Sequence, residues 1–182
     1  MEIEVKAKLV DKERVMKQLN DLGCVFGAAV TQDDTVYVRE TGSLEVFLSN
    51  DVFLRIRIQN DSKVILTAKK PMNKTTEQLV KYEHEVVVDS AQEAQGILEL
   101  MGYHKAVRVK KIRQKAIYEQ YEICIDEIEG LGAFIELERM ASQEEAKNIQ
   151  QQMSAFLETL GVRPEDQVKK GYDILVLEKG QV

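Results

Sequence analysis

Pairs of like charges separated by one position recur along the chain: Glu2 with Glu4, Lys6 with Lys8, Arg55 with Arg57, Glu83 with Glu85, Lys111 with Arg113, and Glu136 with Glu138. Alternate residues of a β-strand point to the same side, so each pair concentrates one sign of charge on one face. In the first segment Glu2, Glu4, Lys6 and Lys8 oppose Ile3, Val5, Ala7 and Leu9. The split returns where Arg55, Arg57 and Gln59 oppose Leu54, Ile56 and Ile58, and where Phe134, Glu136 and Glu138 oppose Ile135 and Leu137. It is partial around Lys111, Arg113 and Lys115, with Ile112 on the other side. A half-solvated antiparallel sheet also alternates polar with apolar residues, but its outer face would mix in Thr, Ser and Gln. These faces are almost wholly ionic and are sorted by strand into acidic and basic pairs. Such sorting predicts a ligand with two electrostatic halves.

Carboxylates that face one another repel in a low-dielectric setting and rise in pKa unless a divalent cation sits among them. Glu2, Glu4, Glu136 and Glu138, with Glu83, Glu85 and Asp126, would form such an acidic set. Hard oxygen donors select Mg2+ or Mn2+. The cations Lys6, Lys8, Arg55, Arg57, Lys69, Lys81, Lys111 and Arg113 match phosphate oxygens, Arg as a bidentate fork and Lys as a point charge. A metal together with several basic groups points to a polyphosphate. Neither a Walker loop nor a Gly-x-Gly-x-x-Gly fingerprint occurs, so side chains would have to hold the phosphates.

These side chains need strands and supporting helices. Period-two runs at Val36–Val38, Val52–Ile58, Lys63–Thr67 and Tyr121–Ile125 read as strands. Three helices are expected: Asp11 to Leu22 closed by Gly23, Ser90 to Met101 closed by Gly102, and Ser142 to Leu160 closed by Gly161. The third opens on a Ser142/Glu145 capping box. A shorter helix is expected after Pro164, around Tyr172 to Leu177. The stretches Gly42 to Asn50 and Lys70 to Glu77 read as loops or hairpin ends and as candidate mobile lids, the second because Pro71 does not continue a central ladder. If the charged faces turn inward, closing the sheet would remove its edges and leave apolar faces for the helices to cover. The expected fold is therefore α+β: a closed antiparallel barrel with a charged lumen, in a single domain spanning residues 1–182. Strand, helix and closing glycine also recur after each Glu-x-Glu (Glu2/Glu4 to Gly23, Glu83/Glu85 to Gly102, Glu136/Glu138 to Gly161), which suggests an internal repeat.

Composition narrows the class. The chain has 182 residues, 44% of them hydrophobic, and a formal net charge of −6, enough for one core without disulfides or a structural metal. The pI near 5.1 argues against broad binding to nucleic acid or an anionic membrane. Cys24 and Cys124 have no partner at metal-ligand spacing and read as buried thiols in a cytoplasmic protein. His84 and His104 are isolated and read as surface or packing residues.

Taken in order, Glu2-x-Glu4-x-Lys6, Arg55-x-Arg57, Thr67-x-Lys69-x-Pro71, Lys81-x-Glu83-x-Glu85, Lys111-x-Arg113, Asp126 and Glu136-x-Glu138 resemble the CYTH superfamily of triphosphate tunnel metalloenzymes. The stretch Ile123 to Glu138, with Leu131-Gly132 before the last Glu pair, resembles its class IV adenylate cyclase branch. The resemblance implies a closed tunnel of about eight antiparallel strands. It implies Glu2, Glu4, Glu136 and Glu138 as the main metal ligands, with Glu83, Glu85 and Asp126 as additional or supporting ones. It assigns phosphate binding to Lys6, Arg55, Arg57, Lys69, Lys81, Lys111 and Arg113, and catalysis to Glu2, Glu4, Lys6, Glu136 and Glu138. Lys81 stands where the family usually has Arg, which keeps the charge and removes a fork. The implied activity is adenylate cyclase, converting ATP to cyclic AMP and pyrophosphate with Mg2+ or Mn2+. The alternatives are a triphosphatase acting on thiamine triphosphate, inorganic tripolyphosphate or a nucleoside triphosphate, and a non-catalytic polyphosphate- or nucleotide-binding module. Tyr172, in Lys-Lys-Gly-Tyr-Asp, resembles a C-terminal family position; it would close one tunnel mouth or pack the last helix, and Lys169 and Lys170 would be a solvated helix end or a movable phosphate contact. The expected partner is a small-molecule triphosphate, and family members often pair, which leaves a homodimer open.

Overall fold

The structure, a computed structural model, describes residues 2–71, 81–142 and 144–180; the side chains of Pro71 and Lys81 are outside the description. In chain order the elements are β1 (Glu2–Lys8), α1 (Lys12–Asp21), β2 (Val30–Val38), α2 (Leu44–Ser49), β3 (Phe53–Gln59), β4 (Lys63–Pro71) and β5 (Lys81–Val88). They continue with α3 (Ala91–Leu100), β6 (His104–Tyr118), β7 (Tyr121–Ile128), β8 (Gly132–Met140), α4 (Ala146–Thr159), a 3-10 turn (Pro164–Asp166), β9 (Gln167–Val168) and α5 (Tyr172–Gly180). The described residues fall into two compact units, one of 2–29 and 112–169, the other of 30–71, 81–111 and 170–180. No helix among the described residues is long and apolar enough to cross a membrane.

The first unit is built on β1, β7 and β8. Antiparallel pairing sets Val5 opposite Leu137 and Ala7 opposite Ile135, while Leu137 and Ile135 face Ile123 and Ile125. This is the apolar face predicted from alternation, and it forms a core with Val15 and Leu19 of α1 and Ile149, Met153 and Leu157 of α4. The three- and four-residue spacing of Ile149, Met153 and Leu157 puts them on one stripe, and all three are buried. Phe156, on the flank of that stripe, stacks on Tyr118 at 5.4 Å between ring centroids.

The second unit carries β2 to β5 in the order β5-β4-β3-β2. Tyr37, Leu54, Ile56 and Val64 form its core with Ala94 and Leu98 of α3 and with Tyr103. α1 and α3 start on side-chain caps, Asp11 accepting from the Arg14 N–H at 3.0 Å and Ser90 from the Glu93 N–H at 3.2 Å. α1, α3 and α4 also end alike: the N–H after the closing glycine donates to the carbonyls of Leu19, Leu98 and Leu157 at 3.0, 2.9 and 3.1 Å. Gly23 makes the first of these turns with φ of +88°, a conformation that disfavours side chains.

Three expectations need correction. The strand order β5-β4-β3-β2-β6-β7-β8-β1-β9 is a line with two ends, so among the described residues the sheet is open and not a closed barrel of about eight strands. The terminal strand gives the physical reason. β9 has two residues and, among the described residues, pairs with Lys6 and Ala7, too short a ladder to carry the sheet round on itself. Second, Gly42 to Asn50 is not wholly a loop, because Leu44–Ser49 form α2. Ser43 caps it from the Val46 N–H, and the Asn50 side chain donates to the carbonyls of Glu40, Val46 and Phe47 at 2.9, 2.9 and 3.1 Å. Third, α4 starts at Ala146 rather than beside Ser142: the Ser142 hydroxyl donates to Glu145 at 2.7 Å instead of accepting from the helix. In the other expected loop, Lys70 and Pro71 extend β4, and residues 72–77 lie outside the described residues.

Candidate functional site

The pairings that bury Val5, Leu137 and Ile123 put the intervening residues on the opposite face of the first unit. Glu4 and Glu122 both lie across from Glu138, a row of three carboxylates abreast. In the next row Lys6 and Cys124 flank Glu136. Lys6, Asp126 and Glu136 are buried there, as is Arg113 from β6. Such burial of ions requires pairing, and the pairs are present. Lys6 lies 3.2 Å from Glu4 and 3.0 Å from Glu136. The Arg113 guanidinium donates to both oxygens of Asp126 at 2.7 and 2.5 Å, to Glu136, and to Glu138 at 3.5 Å.

The shifts in proton affinity follow from this arrangement. Burial alone would lower Lys6, but Glu136 and Glu4 more than reverse it, so the ammonium stays charged. Arg113 is likewise held charged, burial being outweighed by Asp126 and Glu136. Burial, with Glu136 and Glu2 adding their repulsion, raises Glu138 to about 8 against the pull of Arg113 and Lys115. Glu122 moves the other way: burial is outweighed by Lys115, 2.5 Å away, and by a hydrogen bond with Glu138. Burial raises the Cys124 thiol, which lies 3.9 Å from Glu122 and 3.8 Å from Glu138.

A carboxyl that retains its proton to about pH 8 among other carboxylates is short of positive charge, the condition a divalent cation relieves. Ligand atoms of Glu122, Cys124 and Glu138 lie within 4.8 Å of one another, close enough to meet at one ion. The hard oxygens of the Glu4, Glu138 and Glu122 row fit Mg2+ or Mn2+ better than the neutral thiol does. Glu2, Glu122 and Glu138 also line a cavity of about 470 Å3 with Tyr121 and Met140.

The second unit concentrates the cations. Arg57 lies directly opposite Asp34, and Arg55 opposite Thr67. The Asp34 carboxylate accepts from Arg57 Nε and Nη2, both at 2.7 Å, and lies 3.8 Å from Arg55 Nη1. Arg55 Nη2 donates to the buried Thr67 hydroxyl at 3.0 Å and to Glu85 at 2.8 Å. Lys69 pairs with Glu83 at 2.5 Å. The buried Lys111 ammonium sits 4.9 Å from the centre of the Tyr172 ring, a cation–π distance.

The expected residues thus form two sets. Glu2, Glu4, Lys6, Arg113, Asp126, Glu136 and Glu138 belong to the first unit, and Arg55, Arg57, Lys69, Lys111, Glu83 and Glu85 to the second. Asp126, Glu83 and Glu85, expected to support a metal, are engaged by Arg113, Lys69 and Arg55. Lys8 is exposed and lines a separate cavity of about 280 Å3 with Arg14 and Arg163. The Lys81 side chain lies outside the described residues. Tyr172 opens α5 and is buried, with its ring on Lys111; Lys170 pairs with Glu178 at 2.5 Å. Sequence reasoning missed Asp34, Glu122 and Cys124. Glu122 had a signal, since alternation from Asp126 places it on the same face. Cys24 and Cys124 are buried and unbridged, as expected.

Residues 1–172 match the family described as CYTH domain. The chain is 30% identical over 177 residues to a protein of Methanocaldococcus jannaschii named "putative adenylate cyclase", with 94% of this chain and 96% of that one covered. A solved structure from Pyrococcus horikoshii OT3 superposes with a TM-score of 0.82 at 28% identity, covering 98% of this chain and 99% of that one. A Hippeastrum protein described as having a dominant triphosphatase activity shares the fold, with a TM-score of 0.67, 18% identity, and 100% and 97% coverage.

Proposed function

Because the chain belongs to the CYTH domain family over residues 1–172, we propose that it is a divalent-cation-dependent enzyme that converts ATP to cyclic AMP and pyrophosphate. The observation that carries this reading is the likeness, over 94% of the chain, to a relative named for adenylate cyclase activity. Glu2, Glu4, Glu136 and Glu138 would hold Mg2+ or Mn2+, and the bound ion would neutralise charge on phosphate oxygens. Lys6, between Glu4 and Glu136, keeps that acidic set from repelling itself apart. Arg55, Arg57, Lys69, Lys81, Lys111 and Arg113 would hold the triphosphate oxygens and stabilise charge as the ribose 3′-hydroxyl attacks the α-phosphorus and pyrophosphate leaves.

A second reading is hydrolysis of the terminal phosphate. It is supported by the Hippeastrum protein that shares the fold and is described as having a dominant triphosphatase activity. One incubation separates the two. Purified protein with ATP and either Mg2+ or Mn2+ should give cyclic AMP and pyrophosphate by chromatography, above the background of a Glu4→Gln, Glu136→Gln double variant. ADP with orthophosphate would replace the cyclase reading by the triphosphatase one. Neither product, with triphosphate still raising the melting temperature, would point to a binding module.

A further inference from the structure

We propose that the cavity beside the end of the β1/β9 ladder receives the heteroaromatic base of a nucleoside triphosphate, read by Gln150, Ser154 and Gln167; this rests on the triphosphate reading and deepens it. β9 pairs with β1 at Lys6 and Ala7. Where that ladder stops, a cavity of about 230 Å3 opens beside Glu4 and Val5. Lys6, whose ammonium lies between Glu4 and Glu136, lines it as well. The cavity therefore adjoins the acidic set that would hold the metal. Its other wall is α4. Ile149 and Met153 of that helix are buried in the core, and Gln150 and Ser154, one position further on and one turn apart, fall together on the flank that lines the cavity.

The polar groups here differ in kind from those on the charged faces. They are uncharged. The Ser154 hydroxyl donates to Gln167 Oε1 at 3.0 Å, which orients that carboxamide and leaves its Nε2 as a donor. Gln150 brings a second carboxamide to the same cavity. A carboxamide carries an acceptor and a donor side by side, the complement of adenine's amino group and the ring nitrogen next to it. Pro164 and Val168 add apolar wall, and a few placed polar groups in an apolar lining are the usual means of orienting a small molecule.

Size and charge agree with this occupant. The volume is below the roughly 300–1,000 Å3 of sites that enclose a whole drug-sized ligand, so one ring system enters and the phosphates stay on the charged face. Lys6 and the exposed Lys169 outnumber Glu4 along the lining, a balance that tolerates a group tethered to phosphate. The larger cavity of about 470 Å3 sets Glu2, Glu119, Glu122 and Glu138 against Arg139 and would repel the same ligand.

The test is calorimetric titration of the full chain in Mg2+ buffer with two ligands. One is inorganic tripolyphosphate, which has no base. The other is an ATP analogue with methylene groups in place of both bridging oxygens of its triphosphate, which neither cyclisation nor hydrolysis cleaves. The parent should bind both. The double variant Gln150→Leu, Gln167→Leu keeps the bulk and removes the amide groups. It should bind the analogue about ten-fold or more weakly, the loss of two hydrogen bonds, and tripolyphosphate within about two-fold of the parent. Gln150→Trp should give the same pattern by filling the cavity. Retained tripolyphosphate binding shows that each variant is folded. Analogue binding within about three-fold of the parent's in either variant, or tripolyphosphate affinity that falls in step with it, would overturn the proposal. A parent that binds tripolyphosphate but not the analogue would overturn it too and leave the triphosphate reading standing. A parent that binds neither would refute that reading itself.

Discussion

Arg113→Met removes the guanidinium that joins Asp126, Glu136 and Glu138. Asp126 is fully buried and Arg113 nearly so, so the variant takes the forked guanidinium away from a buried carboxylate. Removing one member of a buried pair costs about 3–5 kcal/mol, mostly the penalty of the stranded charge. In a chain of 182 residues each kcal/mol moves the melting temperature by about 2–4 °C, giving an expected drop of about 6–20 °C. Urea denaturation followed by circular dichroism should show the midpoint falling with little change in slope. The informative comparison is the double variant Arg113→Met, Asp126→Leu. It removes the stranded charge along with its partner, and Glu136 keeps Lys6 at 3.0 Å. The double variant should therefore recover about 2 kcal/mol relative to the single one, a coupling that two independent sites would not show. Additive losses, or an Arg113→Met protein within about 0.5 kcal/mol of the parent, would refute the view that this ion pair organises the buried charges.

Other expectations follow from the same geometry. Arg57, Arg55 and Lys111 outweigh burial and hold Asp34 below the usual carboxylate range, so its contribution is intact at neutral pH and is lost as pH falls through the depressed value; melts from pH 6 downward should show a loss that Asp34→Asn lacks. Glu138 has the opposite sign: raised from 4.5 to about 8, it binds more protons folded than unfolded, so without divalent cation stability should decline as pH climbs from about 4.5 to about 8, and Glu138→Gln should flatten that decline. Asn50→Ala removes the side chain that receives the Arg39 and Glu40 N–H groups at 3.1 and 3.0 Å and closes α2; a loss of about 1–3 kcal/mol is expected in urea titrations. Leu157→Ala, in the core beneath β1, should cost about 2–5 kcal/mol by the same measurement.

Alternation and helix caps were legible in the sequence because both are local. The placement of Val5, Ala7, Ile135 and Leu137 on one face and of Glu4, Lys6, Glu136 and Glu138 on the other follows from a two-residue period, and the structure keeps it. Asp11, Ser90 and the closing glycines mark helix ends through bonds within a few residues. What escaped depends on partners distant in sequence. Nothing in Gln32-Asp33-Asp34-Thr35 tells which carboxylate is buried: Asp34 meets Arg57, and Asp33 meets Arg108. α2 is short and depends on Asn50 folding back on it. Sorting of charge by strand was visible, but not that Glu83 and Glu85 would pair with Lys69 and Arg55. Strand order and closure were not legible because a face pattern is the same in an open and a closed sheet.

The position of β5 at one end of the strand order has a consequence for how the protein must be handled and how it can change. Among the described residues its strand neighbour is β4 alone, and Tyr82, Val86 and Val87 are exposed along it. A terminal strand with β-branched side chains is a template for another chain. Glu83 and Glu85 interrupt the apolar run and place negative charge where a second copy of the same strand would bring its own. The two glutamates therefore act as gatekeepers against aggregation while balancing Lys69 and Arg55. A substitution that neutralises either one to strengthen anion binding would also remove a safeguard of solubility, so affinity at this edge cannot be raised by deleting acid without making the folded chain more prone to self-association.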